Sequence, residues 1–261
     1  DVYKRQVVAF GSRVLDKSEP KYMNSSETPV YSKRRVLYGL NLAKKSKRPN
    51  IILCEGNLDI VTLHQAGFDN AVASMGTALT VEQTRLLSRF TKELVLCYDN
   101  DNAGKIATER ALQILNGSEF SVKVLQLPRR LVDGEYIKQD ADDFIKFQGP
   151  DAFERLLNGS ENGVEFRMAQ IAGKYDLKDD EARIAYCGEV SELLASLPGA
   201  VEREIYTGRA AEAAGITAEA MKLEVQRSFK RRIAREKRAE LRKNLNPAMA
   251  LQPKERSLRF E

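Results

Sequence analysis

Between residues 50 and 127, short apolar runs alternate with segments that repeat their apolar residues at helical spacing, and no other feature of the chain constrains its fold as strongly. The apolar runs predict four strands: IILC (51–54), NAVASM (70–75), LVLCY (94–98) and SVKVLQL (121–127). The helical segments between them are 58–66, 80–90 and 103–115. Strands that alternate with helices of about ten residues predict a parallel sheet covered by helices on both faces. The fold class is therefore α/β.

The segments on either side of this sheet have other patterns. Before it we expect a strand at VVAF (7–10), a turn at Gly11 and Ser12, a loop over 14–32 and a short helix within 34–46. After Asp143 helices dominate, and they are expected at 163–175, 179–197, 200–213 and 216–243, followed by a polar linker.

We therefore expect four regions along the chain. They are part of a basic α+β subdomain (1–48), the α/β domain (49–160), a helical subdomain (161–225), and a basic helix with a linker (226–261). Because DVYKRQ (1–6) runs into VVAF without a cap or linker, we also expect the chain to be a fragment.

Charge is distributed unevenly along the chain. Residues 1–50 hold 12 Lys and Arg against 4 Asp and Glu, a net of +8. Residues 51–221 have a net charge of −11, and residues 222–243 a net of +7. An acidic centre between basic flanks suits a protein that binds a polyanion through metal ions, although a merely solvated surface has the same pattern. Charge alone leaves both alternatives open.

Composition argues against a membrane protein and against a zinc site. No apolar run approaches the roughly 18 residues of a membrane span, and no signal-peptide pattern opens the chain, so we expect a cytoplasmic location and no membrane partner. Cys54, Cys97 and Cys187 are far apart and lack the spacing of zinc ligands.

Acidic residues follow two of the predicted strands at the point where each strand ends. Glu55 follows IILC, while Asp99 and Asp101 follow LVLCY. The carboxyl ends of parallel strands line the ligand crevice of an open sheet. Clustered carboxylates repel one another unless a cation lies between them, and their hard oxygen atoms suit Mg²⁺ or Mn²⁺. The simpler alternative is that Asp99 and Asp101 only cap the helix that begins near Ala103.

Three further acids belong to the same pattern. Asp140 and Asp142 repeat the D-x-D spacing before a helix, and Asp59 lies four residues after Glu55. Three glycines, Gly56, Gly76 and Gly104, stand next to these motifs, where glycine allows a close backbone approach or an unusual φ, although ordinary tight turns use glycine in the same way.

Two other residues have structural explanations. His64, the only histidine, lies in the middle of a predicted helix, which favours a structural role. Tyr98 adjoins Asp99 but is expected to point to the opposite face of the sheet, since strand side chains alternate.

Several motifs, taken in order, resemble a known family. EGNLD (55–59), GTALT (76–80), DNDNAG (99–104) and DADDF (140–144) resemble the Toprim module, a Rossmann-like parallel sheet with flanking helices. FGSRVL, PKYMNSSETPVY and SKRRVLYGL, which lie between residues 10 and 40, resemble the RNA polymerase core of bacterial DnaG-type DNA primases. The resemblance covers residues 7–225, with Ser12 in place of a second glycine and Asn57 in place of an aromatic residue.

The resemblance implies a role for each matching residue. Glu55, Asp99 and Asp101 would bind the catalytic Mg²⁺ or Mn²⁺, with Asp59, Asp140 and Asp142 as further ligands. A second group would contact template or nucleotide, and its members are Arg13, Lys21, Tyr22, Asn24 and Lys33.

The resemblance also implies a reaction and its partners. Short RNA primers would be made from ribonucleoside triphosphates on single-stranded DNA at the replication fork, by metal-dependent nucleotidyl transfer. Zinc would belong to an upstream domain, and the replicative helicase would bind a downstream domain, both outside this chain.

Two other functions stay open at this point. The first is a Toprim nuclease or topoisomerase-like enzyme, although no separate domain with a tyrosine nucleophile is visible in the sequence. The second is a non-catalytic module that binds single-stranded nucleic acid. Strand scission would distinguish the first from RNA synthesis, and the lack of metal-dependent turnover would identify the second.

Overall fold

The structure is a computed structural model that describes residues 7–14, 22–74, 78–132 and 134–245. The chain divides into two compact units, Asp1–Arg167 and Met168–Glu261. Lys21 and Gly76 lie outside the described residues, as do the side chains of Arg13 and Tyr22.

The first unit is built on a central sheet. The described strands of this unit are β1 (Gly11–Arg13), β2 (Tyr22–Asn24), β3 (Asn50–Cys54), β4 (Ala71–Ala73), β5 (Glu93–Cys97), β6 (Ser121–Val124), β7 (Arg130–Val132), β8 (Glu135–Ile137) and β9 (Glu161–Asn162). Strands β1 and β2 pair with each other, as do β7 and β8, outside the central sheet. The sheet has the order β4-β3-β5-β6-β9, in which the first four strands are parallel and β9 is antiparallel to β6. The predicted parallel sheet, and with it the α/β fold class, is confirmed.

Helices connect these strands and continue to the end of the described chain. They are α1 (Leu40–Ala43), α2 (Asn57–Gln65), α3 (Val81–Leu87), α4 (Asn102–Leu115), α5 (Ala141–Gln148), α6 (Pro150–Asn158), α7 (Gly163–Ala172), α8 (Asp180–Ala195), α9 (Ala200–Ala214) and α10 (Ala218–Leu245). Helix α3 begins as predicted, because Thr80 Oγ1 accepts the Gln83 N–H and Gln83 Oε1 accepts the Thr80 N–H, both at 3.1 Å.

Alternate residues of the strands enter two separate hydrophobic clusters. In β5, Val95 and Cys97 pack in the cluster that includes residues of α2, α5 and α6, whereas Leu94 and Leu96 pack with residues of α3 and α4. The sheet is therefore covered on both faces, as expected for parallel strands. Tyr98 is buried in the second cluster, on the opposite side of the sheet from Cys97.

The N-terminal segment differs from the sequence-based expectation. Residues 7–10 are not a strand, and the strand instead begins at Gly11, where a turn was predicted. Gly11 pairs with Asn24, so this hairpin depends on a partner that local sequence does not reveal. The helix expected within 34–46 is limited to Leu40–Ala43.

The second unit contains a helical core. Helices α8, α9 and α10 pack on one another, and they bury Tyr186, Val190 and Met221. Residues 230–241 of α10 are all exposed. Within the described residues, no helix combines the length and apolar character that a bilayer crossing requires.

Candidate metal centre

Glu55 and Asp99 meet at the carboxyl edge of the sheet. Cys54 of β3 is the parallel partner of Cys97 of β5, so the residues that follow these two strands leave the sheet side by side. The Asp99 N–H donates to Glu55 Oε1 at 3.4 Å, and both acidic side chains are partly buried. The side chain of Glu55 and the backbone of Asp99 therefore meet at this edge.

Asp101 uses its two carboxylate oxygens for different partners. Oδ1 accepts the Gly104 N–H at 2.8 Å and so caps helix α4. Oδ2 lies 2.8 Å from the ammonium of Lys138, which is also 3.6 Å from Asp99 Oδ2. Helix capping and cation binding are therefore compatible roles for Asp101.

Gly104 packs directly on the backbone that precedes Asp101. A Cβ atom at position 104 would lie 1.9 Å from the carbonyl oxygen and 2.7 Å from the carbonyl carbon of Asp99. Because these are backbone atoms, only glycine fits at this position without a shift of the chain.

Asp59 connects the end of β3 to the start of α5. Its side chain is 7% exposed, and its oxygens accept the backbone N–H groups of Gly56 and Asp142, each at 3.2 Å. The buried carboxylate thus holds together two turns that both carry acidic residues.

Three aspartates at the start of α5 form an acidic group. Oxygen atoms of Asp140, Asp142 and Asp143 all lie within 4.8 Å of one another. Asp140 Oδ1 also caps the helix by accepting the Asp143 N–H at 2.8 Å. Asp142 accepts hydrogen bonds at 2.5 Å from Thr62 Oγ1 and from Lys146 Nζ.

Burial and mutual repulsion raise the pKa of most of these carboxyl groups. Burial, with the charge of Asp140 second, raises the pKa of Asp59 to about 7. Burial also raises the pKa of Glu55, and the charge of Asp99 adds to the shift. The pKa of Asp99 is raised by burial, an effect that Lys138 opposes. Hydrogen bonds from the Gly104 N–H and from Lys138 instead lower the pKa of Asp101.

These residues fit a hard divalent cation. All of the donors are carboxylate oxygens, the donor type that Mg²⁺ and Mn²⁺ prefer. Burial is the main cause of the raised pKa of Glu55, Asp59 and Asp99, and a cation bound beside them would favour their ionised forms.

Two of the predicted template-binding residues, Asn24 and Lys33, have described side chains. Asn24 ends β2. Lys33 lies in a turn, where its backbone N–H donates to Glu27 Oε1 at 2.8 Å. The fully buried Gln83 holds this turn through hydrogen bonds from its Nε2 atom to the Lys33 and Val36 carbonyl oxygens, at 3.0 and 2.8 Å. The basic turn is thus fixed to the start of α3.

A cavity of about 400 Å³ adjoins this turn. Arg34 and Arg35 line it together with Tyr31 and Glu82. Arg34 also lies 3.6 Å from Glu82; the Arg34 side chain is exposed and that of Glu82 is partly exposed.

Two residues of the centre were not found from the sequence. Asp143 directly follows Asp142, and the D-x-D pattern skips over it. Lys138 reaches the aspartates from the β7–β8 hairpin, which was not predicted. The Asp133–Gly134 pair, which lies between LV and EYI, is a typical hairpin signal that would have located it.

Three family models match the chain. A model described as Toprim-like matches residues 52–145, and one described as the N-terminal domain of the DNA primase catalytic core matches residues 2–44. A third, described as the DnaB-helicase binding domain of primase, matches residues 164–219. We expected the helicase-binding region to lie outside the chain, whereas this third match lies within it.

Curated DNA primases are similar over most of the chain. The primase of Clostridium acetobutylicum is 40% identical over 220 residues, which cover 84% of this chain and 35% of that protein. The primase of Listeria monocytogenes is 36% identical over 230 residues, covering 86% of this chain and 36% of that protein. The chain therefore spans about a third of the length of these relatives.

Solved structures share the fold. A DNA primase domain from Pseudomonas aeruginosa has 32% sequence identity and a TM-score of 0.68, with 84% of this chain and 68% of that chain covered. A DnaG primase catalytic domain bound to single-stranded DNA gives a TM-score of 0.68 at 31% identity, covering 82% of this chain and 67% of that one. On this similarity, and on the order of the matched regions, the chain belongs to the bacterial DnaG-type DNA primase family.

Proposed function

We propose that this chain carries the catalytic centre of a DNA primase, which makes short RNA primers on single-stranded DNA by nucleotidyl transfer. The observation that carries the proposal is the meeting of Glu55, Asp99 and Asp101 at the carboxyl edge of the sheet. In the proposed reaction, the 3′-hydroxyl oxygen of one ribonucleotide attacks the α-phosphorus of a ribonucleoside triphosphate, and pyrophosphate leaves.

The acidic residues are proposed to hold Mg²⁺ or Mn²⁺. Glu55, Asp99 and Asp101 are the primary ligands in this proposal, with Asp59, Asp140 and Asp142 completing the site. A bound divalent cation would lower the pKa of the attacking hydroxyl and neutralise charge on the leaving oxygen. The ends of β3 and β5 keep the ligand oxygens in fixed positions, so that little reorganisation accompanies the reaction.

The basic residues of the first unit are proposed to hold the nucleic acid and the nucleotide. Lys33, on the turn that Gln83 fixes, can form charge-assisted hydrogen bonds to phosphate oxygens. Arg13, Lys21, Tyr22 and Asn24 are proposed to contact the template or the nucleotide. A structural neighbour in complex with single-stranded DNA supports such a template for this chain.

We also propose a division of labour along the chain. Residues 1–48 would bind template, 49–160 would form the Toprim catalytic domain, 161–225 a helical subdomain, and 226–261 a basic helix and linker. The family match over residues 164–219 supports the replicative helicase as a partner, with the helical subdomain contributing to that contact. Work at the replication fork would place the protein in the cytoplasm.

Incorporation of labelled ribonucleotides on a single-stranded DNA template, with Mg²⁺ or Mn²⁺, tests this function. The parent chain is compared with Asp99→Asn, which removes one ligand charge, and with Glu119→Gln, which removes an exposed carboxylate paired with Lys92. We expect short RNA products from the parent and from Glu119→Gln, and their loss in Asp99→Asn.

Other outcomes would contradict the proposal. Template cleavage without ribonucleotide incorporation would favour the nuclease, and binding of single-stranded DNA without any turnover would favour the non-catalytic module. RNA synthesis that is unchanged in Asp99→Asn would refute the assigned centre.

A further inference from the structure

Lys138 is held in place by the residues on both of its sides. Before it, Ile137 pairs with Arg130 in the β7–β8 hairpin. After it, the buried Gln139 donates from Nε2 to the Pro128 carbonyl oxygen at 2.6 Å, and Asp140 caps α5. The backbone of Lys138 therefore has a defined position, although its side chain is 59% exposed.

A second contact ties the hairpin to the helix that follows it. The guanidinium of Arg130 lies over the ring of Phe147 in α5, with its central carbon 3.6 Å from the ring centroid. The base of the hairpin thus packs against the last turn of α5.

From this position the ammonium of Lys138 reaches both aspartates of the DND sequence. It lies 2.8 Å from Asp101 Oδ2 and 3.6 Å from Asp99 Oδ2. These are the same two carboxylates that would ligate a divalent cation. One ammonium cannot share this space with a metal ion that binds both oxygens, and two cations so close would repel each other.

We propose that Lys138 is a tethered counter-cation of the metal centre. Its ammonium holds Asp99 and Asp101 together when no metal is bound, and it must leave before a divalent cation can bind both of them. Lys138 therefore lowers the affinity of the centre for the metal and acts as a positioning residue. This inference rests on the proposed metal binding by these aspartates.

Titration with Mn²⁺, with free Mn²⁺ measured by electron paramagnetic resonance, tests the inference without requiring catalysis. Four proteins are compared: the parent, Lys138→Met, Lys138→Arg and Lys92→Met. Lys138→Met keeps the length of the side chain without its charge, and Lys138→Arg keeps the charge. Lys92 is a matched control, because it is similarly exposed, pairs with Glu119, and precedes β5 at the end opposite Asp99.

We expect the Kd for Mn²⁺ to fall about tenfold in Lys138→Met, a moderate effect because an exposed ammonium is partly screened by water and salt. Lys138→Arg and Lys92→Met should bind Mn²⁺ like the parent. Melting of each variant in EDTA, followed by circular dichroism, checks that it is folded.

Two sets of results would overturn the inference, and they are distinguishable. If the parent binds Mn²⁺ but Lys138→Met binds it equally or more weakly, or if Lys92→Met gains as much affinity, the role of Lys138 alone is refuted. If the parent does not bind Mn²⁺, or if Asp99→Asn binds it as well as the parent, the metal centre itself is refuted together with the inference.

Discussion

Replacement of Gly104 by alanine should damage the metal centre although it adds only one methyl group. The new Cβ atom would lie 1.9 Å from the Asp99 carbonyl oxygen, and real Cβ atoms essentially never come closer than 3.0 Å to such an atom. The start of α4 and the Asp99 backbone must therefore separate by at least about 1 Å. Overpacking of this kind costs about 1–3 kcal/mol of stability.

The functional effect should be larger than the loss of stability. A displacement of about 1 Å in a catalytic group can reduce the rate by roughly 100-fold. We therefore expect Gly104→Ala to lower the urea midpoint and to weaken Mn²⁺ binding. The rate of ribonucleotide incorporation should fall by roughly 100-fold.

Gly208→Ala is the control for this substitution. Gly208 also lies within a helix, α9, but a Cβ atom there would meet nothing within 4 Å. Alanine at this position should raise stability by about 0.5–1 kcal/mol through helix propensity. If Gly104→Ala were as stable as the parent and bound Mn²⁺ equally well, the close packing of α4 on Asp99 would be refuted.

Two further predictions concern Asp59 and Gln83. The folded-state pKa of Asp59, about 7, lies above the ordinary value of 3.8, so ionisation of this group opposes folding. The contribution of Asp59 to stability is complete below pH 4 and is lost as the pH rises through 7. In EDTA, this group should lower the parent's free energy of unfolding by up to about 4 kcal/mol between pH 4 and pH 8. Urea unfolding should show that the free energy of Asp59→Asn falls clearly less over the same pH range, and an equal fall would contradict this. Gln83→Ala should lower the free energy of unfolding by about 2–4 kcal/mol, because it leaves the Thr80 N–H and the Lys33 and Val36 carbonyl oxygens without their partner. A loss below about 1 kcal/mol, measured by urea unfolding, would contradict this.

The central sheet could be predicted because its signals are local and repeated. Each buried strand is a short apolar run, and the helix that follows repeats its apolar residues at helical spacing. Helix α3 also has its own start signal, the cap formed by Thr80 and Gln83. The position of Glu55 and Asp99 follows from the same reasoning, since parallel strands end at one edge. Local pattern was therefore sufficient to place Glu55 and Asp99 at the same edge of the sheet.

The parts that were missed depend on pairing between distant residues. The strand at Gly11–Arg13 exists because it pairs with Tyr22–Asn24, and an apolar run at 7–10 gives no sign of that register. The short β9 is similar, because it depends on antiparallel pairing with β6. Lys138 could be placed only after the hairpin that carries it was known, and so the cation closest to Asp101 was invisible in the sequence.

The carboxylates of Glu55, Asp99 and Asp101 are proposed to bind one divalent cation together. Crystals of the protein soaked in Mn²⁺ would show this through the anomalous scattering of the bound metal. We expect an anomalous peak about 2.0–2.6 Å from oxygen atoms of these three residues. A protein that binds Mn²⁺ elsewhere and leaves these carboxylates without a metal would contradict this proposal.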